Sequence, residues 1–146
     1  MSFYFSSEFI SQFKKIIKNN ADKNLEKIFI DEIISETSEN ILNVGTSNIN
    51  STAYNLLIKK RLKREGKGKS SSYRTYFFFR IKNDVFEFIY VYPKTGRRSQ
   101  TSITKQDLKN LLKRFSEDKK NGNLTEICLS ADGSKIINKN TKKNIF

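Results

Sequence analysis

The 146-residue sequence predicts one α+β domain in which an antiparallel sheet carries two N-terminal helices and a C-terminal helix. Three observations predict it. Apolar residues recur at helical spacing twice before residue 35. Two aromatic strands from Tyr73 to Tyr92 flank an Asn83-Asp84 turn, and a capped amphipathic run follows Thr104. Hydrophobic residues make up 36% of the chain, enough for a core despite the heavy charge.

Ser6 or Ser7 can cap a first helix, with Phe9, Ile10, Phe13, Ile16 and Ile17 on one face and an end near Asn19. Asp22 is expected to cap a second helix, with Leu25, Ile28, Phe29 and Ile33 inward and Asp31, Glu32, Glu36 and Glu39 largely outward. The stretch Val44 to Thr52, rich in Asn, Ser and Thr, reads as a loop. Residues 53 to 62 read as a strand that starts apolar and ends basic, and Glu65 to Ser72 as a flexible turn. A hairpin then joins Tyr73–Lys82 to Val85–Tyr92. Its expected register sets Lys82 opposite Val85, Arg80 opposite Glu87, Phe79 opposite Phe88 and Phe77 opposite Tyr90. Thr104 caps the last helix, with Asp107 three residues on and Leu108, Leu111, Leu112 and Phe115 facing the sheet. The domain is expected to span residues 1–133, and the Lys/Asn-rich segment 134–146 to be a mobile basic tail.

The chain carries 28 Lys and Arg against 15 Asp and Glu, a net charge of +13, so its partner should be a polyanion. His is absent and Cys128 stands alone, which excludes disulfide frameworks, Cys/His zinc sites and His-based acid–base catalysis. No metal or cofactor is expected. Cys128 reads as a small core residue. No segment has the pattern of a signal peptide or a membrane span, so the expected location is cytoplasmic.

Three consecutive antiparallel strands bring the end of the first, the start of the second and the end of the third to one edge of the sheet. Lys59, Lys60, Arg61, Lys63 and Arg64 close the first, Lys67 and Lys69 lie in the connection, Arg74 opens the second, and Lys94, Arg97 and Arg98 follow the third. Between Lys59 and Lys69 stand seven cations and one acid, Glu65, whereas a merely solvated face mixes signs. Phosphate binding explains such an excess, because each neutralised phosphate releases counterions. Gly68-Lys69-Ser70 is no phosphate loop: Lys63 stands where that motif needs Gly, and a strand follows where it needs a helix.

The run Lys59-Lys-Arg-Leu-Lys-Arg-Glu-Gly-Lys-Gly-Lys-Ser-Ser-Ser-Tyr73-Arg74, with the aromatic hairpin, the basic loop and Asp107-Leu108 after it, resembles the HigB-like branch of the RelE toxin family. Asn121 to Ile127 is similar to the family's short C-terminal element, so the resemblance covers roughly Phe3 to Ile127. It implies a toxin of a type II toxin–antitoxin system that cleaves mRNA on the ribosome without metal, using the ribose 2′-OH as nucleophile. It also implies a cognate antitoxin. Arg74 matches the Tyr-Arg position and would stabilise charge on the phosphate; Lys69, Arg61 and Arg98 would complete the catalytic set. Lys59, Lys60, Lys63, Arg64, Lys67, Lys94 and Arg97 would bind RNA, with Tyr73 and Tyr92 stacking on bases. Two features depart from the family pattern: the loop from Pro93 to Ser102 is long, and Ser71-Ser72 replaces a Gly pair. A non-catalytic, gyrase-directed ParE-like toxin, or an inactive nucleic-acid-binding relative, would share the fold. A peripheral membrane protein would need a basic amphipathic helix, which the strand-end position of the cations does not provide.

Overall fold

Alternation along the aromatic hairpin sends Phe77, Phe79, Phe86 and Phe88 to one side and Tyr76, Phe78 and Tyr92 to the other, so both faces of these strands need cover. The computed structural model, which describes residues 1–64, 66, 68, 71–95 and 103–146, supplies it with helices on both faces. Strands β1 (Ser2–Phe5), β2 (Thr46–Ser51), β3 (Asn55–Leu62), β4 (Tyr73–Arg80), β5 (Val85–Pro93), β6 (Thr125–Leu129) and β7 (Ile136–Asn138) form one sheet of order β2-β3-β4-β5-β1-β6-β7. This is the α+β class expected.

Helix α1 (Ser7–Ile17) is capped by Ser6, whose hydroxyl accepts from the Phe9 amide, and it buries Phe9, Phe13 and Ile16. Phe5, Phe9, Phe13, Phe29 and Phe88 pack ring against ring beneath it. The expected second helix is broken. A 3-10 turn (Asn20–Asp22) precedes α2 (Leu25–Phe29), a π turn carries Ile30–Ile34, and α3 (Ser38–Asn43) restarts under a Thr37 cap. Asp22 caps no helix; it is buried. On the opposite face α4 (Lys105–Lys120), capped by Thr104 as expected, lays Leu111 and Phe115 over Tyr76, Ile89 and Tyr92. Lys119 reaches Glu87 on the sheet at 3.0 Å.

Four expectations need correction. The hairpin pairs Arg80 with Val85, Phe79 with Phe86 and Phe77 with Phe88, because the ladder stops at Arg80. Ile81 to Asp84 form the turn, Asp84 taking φ 54, and a bulge between Tyr76 and Phe77 shifts the remaining pairs. Arg80 and Glu87 still meet, diagonally, at 3.6 Å. Residues 46–51 are not loop but the edge strand β2, paired with β3 and mostly exposed. Ser2–Phe5, for which the sequence predicts no element, runs parallel to β5 and antiparallel to β6. The segment 134–146 is no free tail: β7 pairs with β6, Ile136 is fully buried, and Phe146 stacks on Phe13 at 3.9 Å between centroids. Each such apolar side chain contributes about 1.5–3 kcal/mol of burial, which outweighs the polar composition around it.

Candidate nucleic-acid interface

The sheet brings the basic strand ends together as connectivity requires. Arg61 stands opposite Arg74, and Arg74 opposite Tyr92; one step outward, Leu62, Tyr73 and Pro93 lie in line. The period of two then divides the expected rim between the faces. Lys59, Arg61, Arg74 and Tyr92 share the α4 side. Lys60, Leu62 and Tyr73 share the side of the N-terminal helices, where Arg64 joins them.

On the α4 side, Lys59, Arg61 and Arg74 line a groove of about 290 Å³ closed at its edge by Gly45, Thr46 and Ser47. Arg74 is aimed by its own neighbours: one guanidinium nitrogen donates to the Ser72 carbonyl at 3.1 Å, to the Tyr73 carbonyl at 3.4 Å and to the Ser72 hydroxyl. Burial lowers its pKa and the charge of Arg61 adds to this, against the opposing pull of Tyr92 and Tyr76. Lys59 is also held below the usual lysine value, first by burial, then by the charges of Lys94 and Arg74. Three cations thus crowd one groove, with the charge of Lys94 near enough to act on Lys59. Crowding of this sign destabilises an empty site and favours an anionic occupant. Beside Arg74, the Tyr92 hydroxyl is buried next to that of Tyr76, and burial ahead of the neighbouring Tyr76 pushes its pKa up to about 12.

On the other face the expected RNA contacts become structure. Arg64, only 4% exposed, pairs with buried Asp22 through Nη2 at 3.0 Å and Nε at 3.1 Å. Its Nη1 donates to the Thr95 carbonyl at 2.7 Å and the Thr95 hydroxyl at 3.0 Å. Tyr73 donates to Asp22 at 2.5 Å and lies beneath the Arg64 guanidinium. Lys60 is buried and donates to the Val44 and Asn40 carbonyls, closing the C-terminal end of α3. Lys60, Arg64 and Tyr73 are therefore corrected from RNA contacts to parts of the framework. Tyr92 offers no ring face either, being fully buried. Lys63 is exposed, on the helix side of the strand end. Lys67, Lys69, Arg97 and Arg98 lie outside the described residues.

Tyr76, Thr46 and Ser47 were missed as site residues. Tyr76 was readable, since it follows Arg74 by one strand period. Thr46 and Ser47 carried no signal, because a polar edge strand looks like loop.

The family described as the RelE toxin of the RelE/RelB toxin–antitoxin system matches residues 12–130. The chain belongs to the RelE toxin family. It is a toxin of a toxin–antitoxin system, and membership implies a cognate antitoxin as its partner. The match does not single out the HigB branch. No curated protein and no solved structure matches the chain. In this toxin no helix among the described residues is long and apolar enough to cross a membrane.

Proposed function

We propose that this RelE-family toxin is a cytoplasmic, ribosome-dependent mRNA endoribonuclease that needs no metal and uses the substrate's own 2′-OH as nucleophile. The observation that carries the reading is the convergence of Lys59, Arg61 and Arg74 on one groove beside Lys94. The 2′-oxygen attacks the adjacent phosphorus as its proton passes to a base; the bond to the 5′-oxygen breaks, and that oxygen takes a proton. The products are a 2′,3′-cyclic phosphate and a 5′-hydroxyl. Arg74 and Arg61 offer planar donor forks to the non-bridging oxygens, where charge grows in the transition state. Lys59, with its lowered pKa, suits proton transfer better than an ordinary lysine. The resemblance gives the same task to Lys69, and to Arg98 the leaving-group side. Lys94, Arg97, Lys67 and Lys63 hold flanking phosphates. Ribosome dependence follows from the economy of this set: mRNA laid out by the decoding site arrives oriented, and orientation is worth several orders of magnitude in rate.

The test is mRNA cleavage on programmed ribosomes, with 5′ ends mapped. Wild type should cut within the decoding site, and Arg74→Ala should lower the single-turnover rate by about 10²–10³-fold. No cutting by wild type would sink the nuclease reading in favour of a toxin that binds without cleaving.

A further inference from the structure

A second cavity, of about 460 Å³, opens where β3 ends against the π turn, and it shares Gly45 and Arg61 with the phosphate groove. That volume lies within the ~300–1,000 Å³ typical of clefts that enclose small organic ligands. Its walls differ from those of the groove. Val44 contributes an apolar side chain that is 60% exposed, and Arg61 lines both spaces. Glu32 supplies a half-buried carboxylate, one oxygen of which accepts from the Lys63 amide at 2.8 Å. An apolar surface and one desolvated acceptor together match the face and edge of a flipped-out base.

Resting on the phosphate-groove reading, we infer that this cavity is a nucleobase pocket for the nucleotide whose phosphate lies in the groove, and that Glu32 selects bases bearing an amino group. Guanine is the best occupant. Its adjacent N1–H and amino N–H meet a carboxylate together, whereas uracil offers one N–H between two carbonyl oxygens that repel it. Burial raises the Glu32 pKa, against the opposing Lys63 amide and the Lys60 and Lys63 charges, so added donors from a base are favourable there. Arg61 would lie along the base while its charge faces the phosphate.

Calorimetric titration of the full chain with GMP, UMP and inorganic phosphate tests this apart from catalysis. Wild type should bind GMP about tenfold or more tighter than UMP, since a site built around hydrogen-bond donors rejects an analogue lacking them. Glu32→Gln keeps an acceptor for the Lys63 amide, so it should fold; it should lose the GMP preference and keep phosphate binding. Equal affinity for GMP and UMP in wild type, a preference that survives in Glu32→Gln, or binding of phosphate alone would each overturn the pocket. Cleavage of mRNA on ribosomes without any base preference in solution would overturn the pocket and leave the nuclease reading standing, while the preference without cleavage would do the reverse.

Discussion

Arg64 and Arg74 lie at the same end of one sheet, yet they serve opposite purposes. Arg64 is matched by Asp22 within a closed network that also holds Tyr73 and Thr95. Arg74 is aimed by neutral oxygens of Ser72 and Tyr73 into a groove it shares with Arg61 and Lys59. The tyrosines repeat the contrast: Tyr73 donates to a carboxylate, whereas the Tyr92 hydroxyl lies against another phenol, that of Tyr76. A satisfied buried network explains itself through the fold. A crowd of like charges along one groove does not, and that asymmetry is better evidence of function than the number of cations.

The contrast should be sharpest in Asp22→Ala, which strands a buried guanidinium. Unfolding by urea should show a loss of about 3–5 kcal/mol, larger than that of Arg74→Ala. Equal losses would mean that Arg74 too belongs to the framework. One substitution made at both tyrosines should then differ in size. Tyr73→Phe removes a hydrogen bond to a charged acceptor and should cost about 1.5–3 kcal/mol by urea unfolding, while Tyr92→Phe removes only a contact between two buried phenols and should cost less.

A further effect is in alkali. Burial, then Asp22, raises the Tyr73 pKa, and burial raises that of Tyr92 to about 12, both from an ordinary 10.0. A raised folded pKa means stability fully present below 10.0 and lost as pH climbs through the folded values. Lys59 and Lys60, held below 10.5, act in the opposite sense, gaining stability as they discharge, and are finished by that pH. Stability should therefore fall between about pH 10.5 and 12, and less steeply in the Tyr73→Phe, Tyr92→Phe double variant. An equally steep fall in that variant would place the alkaline sensitivity elsewhere.

Much of this was readable in the amino acids, for stated reasons. Ser6 and Thr104 are caps whose side chains have one good use, and Leu111 and Phe115 keep helical spacing. Strand alternation was readable too, but counting cations at strand ends ignored it, and so Lys60, Arg64 and Tyr73 were put with Lys59, Arg61 and Arg74. Other features depend on contacts distant in sequence. Ser2–Phe5 is short and pairs with β5 across 83 residues, β2 is polar on both faces, and Asp22 meets Arg64 across 42 residues. The hairpin register turned on a four-residue turn, Ile81 to Asp84, where a two-residue one was expected, and on a bulge beyond it that no local pattern announces. In the C-terminal segment, lysines and asparagines hid Ile136, Ile145 and Phe146, which pack on the core.

The place of β1 between β5 and β6 bears on how the toxin is made. The first strand described finds its partners only once residues 85–88 and 125–127 exist. A nascent chain leaving the exit tunnel therefore holds an unfinished core, with Phe3 and Phe5 unsheltered, until β6 has been made, and the interval before β6 emerges is one in which another chain can reach it first.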